Sequence, residues 1–130
     1  MSRAANNLRS PLAQARGLGS AKQGVHHFWV QRVSAVALIP LALWFVFSLA
    51  QIGSADYATV RHWVHAPSVA VTLVLFLAAA TYHSALGIQV VIEDYVAGEA
   101  MKLSSLLLSK FAHLVVAAAG IFAVLKIALS

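Results

Sequence analysis

Three long stretches of this chain are apolar and almost free of formal charge. Val33 to Ile52 gives 20 residues without a charge, which as a helix at about 1.5 Å per residue reaches roughly 30 Å, the thickness of a bilayer's hydrocarbon core. Pro67 to Ile92 gives 26 more, about 39 Å of helix that must tilt or project beyond the core. Pro67 suits the first turn of that helix, where a missing N–H costs little. Leu106 to Leu129 carries Lys110 near its start and Lys126 near its end, where a long aliphatic stem can deliver the ammonium to the headgroups. An open sheet edge does not survive in lipid, and runs of this length do not fit the roughly ten-residue alternating strands of a barrel. The pattern therefore predicts an all-α membrane protein with three transmembrane helices, spanning about 33–52, 67–92 and 106–129.

Composition agrees. Of 130 residues, 61% are hydrophobic and 10% charged, against about half and about a quarter in a soluble domain. Mean hydropathy is +0.82. The chain is one domain at most, and a water-soluble globule of this make-up would expose large apolar patches. With no cysteine, disulfides, thiolate zinc sites, iron-sulfur ligation and covalent haem attachment through C-x-x-C-H are excluded, so any metal must be held by His or carboxylates. The formal charge is +5, but the basic residues do not gather into one patch with interleaved aromatics, which argues against nucleic acid.

They read instead as topology signals. Arg3, Arg9, Arg16, Lys22 and Arg32 precede the first span with no acid among them; the 53–66 loop holds Arg61 opposite Asp56; the 93–110 loop holds Lys102 and Lys110. The positive-inside rule places the amino terminus and the 93–110 loop in the cytoplasm, and the 53–66 loop and carboxyl terminus outside. Trp29, Trp63 and Tyr95 fall at the expected boundaries. Residues 1–24, rich in Arg, Ser, Ala and Gly, predict a flexible basic arm ahead of a 25–130 membrane domain. A secretory signal does not fit, because the first apolar run starts late and is too long. The acid-free, Arg-bearing leader also resembles a mitochondrial transit peptide, but a bacterial inner membrane is the expected location. Gly17-Leu18-Gly19 lacks the strand and third glycine of a dinucleotide fingerprint.

Inside the second span, His83 lies nine residues before Ile92, about 13.5 Å along the helix and close to the bilayer midplane. Ala79 and Ala80 one turn earlier and Gly87 one turn later clear bulk from its face. An ionisable group at that depth is either an interhelical hydrogen-bonding residue or a ligand, such as an axial haem ligand in a slot lined by small residues; spacing leaves both open. Eleven residues on, about 20° away on the wheel if the helix continues, comes Asp94, followed by Tyr95. A carboxylate beside a phenol at a water-lipid boundary suits hydrogen bonding and proton delivery to a quinone, or a plain interfacial anchor. His113, at similar depth in the third span, makes a bis-His haem within one chain conceivable, with a polar contact to a neighbouring helix or a headgroup the simpler expectation. His62 and His65 would suit a metal only if their loop were helical.

The residues Gly24-Val25-His26-His27-Phe28, Arg32 followed by Ser34-Ala35, and His83 separated by eleven residues from Asp94-Tyr95 resemble the smaller hydrophobic membrane anchor subunit of succinate dehydrogenase, respiratory complex II. The specific match runs from Gly24 to Tyr95; the third span matches only as a helix of suitable length. The resemblance implies a bundle shared with a second anchor, and a complex that also contains a flavoprotein and an iron-sulfur subunit. It implies that His83 is one axial ligand of a b-type haem shared with the sister anchor, and that Arg32 and His26 lie near the haem propionates. Tyr95, with Asp94 beside it, would hydrogen-bond ubiquinone. His27 stands where some relatives carry an acid. Lacking cysteine and a nucleotide fold, the chain would not oxidise succinate by itself. The rival reading is a small structural or transport-complex subunit in which His83 and Arg32 serve packing and topology.

Overall fold

The computed structural model describes residues 10–12 and 22–130. Most of the expected arm, residues 1–9 and 13–21, lies outside the described residues. Four helices follow: α1 (Lys22–Ile52), α2 (Tyr57–His65), α3 (Pro67–Tyr95) and α4 (Glu99–Ala128). There is no strand among the described residues, and α1, α3 and α4 are each long and apolar enough to cross a membrane. The protein is an all-α membrane protein.

The three long helices outrun the charge-free spans that predict them. They hold 31, 29 and 30 residues, or about 44–46 Å of helix against a core of about 30 Å. Charge marks where lipid ends, whereas the backbone stays helical into water; α1 thus starts at Lys22 and α4 at Glu99. The expected 93–110 loop contracts to Val96, Ala97 and Gly98. Gly98 caps α4 with φ 87°, a left-handed conformation that disfavours any side chain. Lys102 Nζ donates to the Glu93 carbonyl at 2.7 Å, satisfying an end group of α3.

The 53–66 segment, expected as a loop, is largely helix α2. Its start is set by Asp56, whose Oδ1 accepts from the Thr59 N–H at 3.0 Å. Those hydrogen bonds hold the Asp56 carboxyl below the usual carboxylate range. At the other end Ala66 is extended, φ −65° and ψ 124°, and Pro67 opens α3 at once; a residue before proline is pushed out of the helical region.

α3 is the middle element. α1 and α4 both pack along it, and α2 packs on α3 and α4. Phe45 of α1 stacks on Phe76 of α3 with ring centroids 4.6 Å apart. On the other side Gly120 of α4 lets Leu77 come close, 3.3 Å from where a Cβ would stand. Trp63 of α2 stacks on Trp44 of α1 at 5.9 Å, tying the short helix across the end of the bundle. Pro40 sits inside α1 without ending it, as membrane helices tolerate. Among the described residues only Val64, Ala70 and Leu73 are buried hydrophobics, while Val36, Phe47, Leu108, Leu114 and Phe122 are more than half exposed. The apolar surface faces outward, toward lipid or other chains.

Candidate functional site

His83 lies two residues past the midpoint of α3 and is half-buried. Its Nδ1 is 2.9 Å from Ser34 Oγ on α1. Ser34 Oγ in turn donates to the Gln31 carbonyl, 3.0 Å away on its own helix. The Nε2 atom has no hydrogen-bond partner among the described residues. Gly87, one turn on, borders open space: a Cβ there would meet nothing within 4 Å. The small residues near His83 therefore serve two surfaces. Gly87 borders the open one, and Ala80 lines a groove of about 300 Å³ toward α4, with Thr81, Ser84, Ala112, His113 and Val116.

His113 belongs to that second surface. Its Nδ1 donates to the Ser109 carbonyl at 2.7 Å and its Nε2 accepts from Ser84 Oγ at 3.1 Å. Both nitrogens are occupied, and Ser84 is about 100° around α3 from His83. The two imidazoles serve different contacts of α3, as the simpler expectation for His113 had it.

Asp94 and Tyr95 end α3, and the helix is continuous from His83 to both. Asp94 is thus about 20° from His83 on the wheel and roughly 16 Å further along the axis, at about 100° and 1.5 Å per residue. Both side chains are exposed, Tyr95 at 83%. The phenol and imidazole do not touch; one rigid helix fixes their spacing.

Arg32 is exposed, with its guanidinium 5.1 Å from the centroid of the Phe28 ring. It is two residues from Ser34, about 200° around α1, and so turns away from the Ser34–His83 contact. His26 lines a groove of about 410 Å³ with Gly24, His27, Val30, Tyr82, Leu86, Gln89 and Glu93. Within it Gln89 Nε2 donates to Glu93 Oε1 at 2.7 Å, and His27 Nε2 is enclosed without a partner. His26 thus opens toward α3, whereas Arg32 points outward.

At the other end, His62 and His65 do lie on a helix, α2, and both are exposed. His65 Nε2 is 3.3 Å from the Ser130 carbonyl, and Arg61 Nη2 donates to Ser130 Oγ at 3.2 Å. No group of three or more His, Cys, Asp or Glu that would hold a metal occurs among the described residues.

Ser34 has no role that the sequence pattern alone assigns. Its pairing with His83 spans 49 positions, and no periodicity reports which residues of two helices meet. The available signal was a hydroxyl interrupting the apolar face of α1.

These features define a class: a helical membrane protein with three helices long enough to span and, near the middle of the central one, an imidazole hydrogen-bonded through one nitrogen with no partner for the other among the described residues. A family model described as "Succinate dehydrogenase/Fumarate reductase transmembrane subunit" matches residues 6–125, and the chain belongs to that family. It is 32% identical over 90 residues to a succinate dehydrogenase hydrophobic membrane anchor subunit of Rickettsia bellii (strain RML369-C), covering 69% of this chain and 72% of the relative. The protein of the same description from Paracoccus denitrificans is 32% identical over 110 residues, 85% of each chain. A succinate dehydrogenase membrane anchor subunit of Reclinomonas americana is 32% identical over 90 residues, covering 67% of this chain and 75% of the relative. No solved structure gives a significant match.

Proposed function

We propose that this chain is a membrane anchor of succinate:quinone oxidoreductase, complex II, that supplies one axial ligand to a b-type haem and part of a ubiquinone-reduction site. The observation that carries the proposal is the state of His83. A polar atom in lipid needs a partner, and Nε2 has none among the described residues while Gly87 keeps the neighbouring surface clear. A neutral imidazole anchored through Nδ1 fits iron ligation through Nε2.

In this reading His83 would hold the haem iron together with a ligand from a second anchor subunit. Arg32, turned outward and without an acidic partner among the described residues, would offset propionate charge on the side where that anchor seats. His26, in the groove between the start of α1 and α3, would hydrogen-bond a propionate from that side. When bound, the haem would store one electron near the quinone. Tyr95 would donate its phenolic O–H to a quinone carbonyl, and Asp94 would hold a proton at its carboxylate beside it. Without cysteine the chain has no thiolate for an iron-sulfur cluster, and in this reading iron-sulfur and flavin chemistry would come from partner subunits docked at the cytoplasmic face. The excess of Lys and Arg at the amino-terminal end supports an inner-membrane chain whose amino terminus is cytoplasmic.

The test is a reduced-minus-oxidised spectrum of membranes carrying the assembled complex. His83→Ala is expected to abolish or strongly perturb the b-type haem signal. An unchanged spectrum would reject ligation and favour the structural or transport-complex reading.

A further inference from the structure

We infer that Ser34 is a positioning residue for the iron ligand: it fixes the tautomer of His83 and raises the electron density of the imidazole. The inference rests on the reading that His83 binds haem iron, and extends it to a residue on a different helix.

The hydrogen-bond inventory carries it. A hydroxyl has one proton, and Ser34 Oγ commits it to the Gln31 carbonyl, which lies 3.0 Å away and can only accept. What Ser34 Oγ presents to His83 Nδ1, at 2.9 Å, is therefore a lone pair. The ring must carry its proton on Nδ1 and donate it to Ser34. The neutral imidazole then has its free lone pair on Nε2, the atom without a partner and the one a metal would take. Had Ser34 turned its proton toward Nδ1, the lone pair needed for iron would be spent on a serine. The relay Nδ1–H to Oγ–H to the Gln31 carbonyl also joins α1 to α3 at the depth of the ligand, so the ring plane is set by two helices.

A hydrogen bond from Nδ1–H makes the imidazole a stronger donor, which favours ferric over ferrous iron and lowers the reduction potential of the haem. Ser34→Ala in the assembled complex is expected to keep the haem and shift its midpoint potential to a more positive value. Ser34→Thr, which retains the hydroxyl, should restore the wild-type potential. Ser34→Cys, close in size and only a weak acceptor, should fall between, and it serves if the alanine variant does not assemble. A haem at the wild-type potential in both Ser34→Ala and Ser34→Cys overturns the inference while leaving ligation by His83 intact. Haem spectra that survive His83→Ala overturn both.

Discussion

Tyr95 ends α3 with its ring almost wholly in the open. An anchor that merely liked the interface would be replaced by Phe at little cost, because the ring would still sit among headgroups. A phenol that bonds a quinone carbonyl would not be. Tyr95→Phe should leave electron transfer from succinate to an artificial acceptor unchanged and slow succinate-driven ubiquinone reduction. A lost neutral hydrogen bond of about 0.5–1.5 kcal/mol limits the loss to roughly tenfold, whereas a lost proton donor reaches roughly a hundredfold or more. The size of the effect thus separates a positioning phenol from an acid, and equal rates with quinone would remove Tyr95 from the site. The shared placement of His83, Asp94 and Tyr95 was legible in the chain because one helix carries all three and its period is known. Ser34 was not, since its meaning comes from a contact between helices 49 residues apart.

At the scale of elements, the fold is two packings of α3. On the α1 side an aromatic stack, Phe45 on Phe76, joins the Ser34–His83 bond. On the α4 side the end of the Leu77 side chain packs over Gly120, 3.3 Å from where a Cβ would stand. Without a hydrophobic drive between helices in lipid, such contacts carry much of the association. Gly120→Ala asks only the end of a flexible leucine to move and should leave thermal stability in detergent nearly unchanged. Gly120→Leu overfills the gap and should cost about 1–3 kcal/mol, read as a lower unfolding temperature of the complex with a normal haem spectrum. A loss of haem at unchanged stability would mean that α4 reaches the His83 side. The sequence announced three spans by their freedom from charge but missed α2. The signal was present in Asp56 three residues before Thr59, followed by Val60, Trp63 and Val64 on one face. A helix this short is stabilised mainly by what it lies on, and nothing in residues 57–65 reveals that Trp63 rests on Trp44.

The whole molecule has an interior of three hydrophobic side chains among the described residues, and its order along the membrane normal is set by charge instead. Seven of the nine Lys and Arg, Arg3, Arg9, Arg16, Lys22, Arg32, Lys102 and Lys110, belong to the amino-terminal arm, the first half of α1 and the first half of α4. Arg61 and Lys126 lie toward the opposite end. Translocating the richer end is unfavourable, so Val96–Gly98 should face the cytoplasm and α2 the outside. Under the proposed quinone role, that orientation would set which compartment Asp94 draws its protons from, and on which face a soluble electron donor could reach Tyr95. Because the chain contains no cysteine, it supplies a clean background for testing this. Ala97→Cys and Ser54→Cys place single thiols at exposed positions at the two ends. In intact cells permeable only through the outer membrane, a membrane-impermeant maleimide should label Ser54→Cys. Ala97→Cys should react only after the inner membrane is opened. The reverse pattern would turn the chain over and put Tyr95 beyond the reach of a cytoplasmic iron-sulfur partner, and the quinone assignment would fail with it even if His83 proved to bind haem.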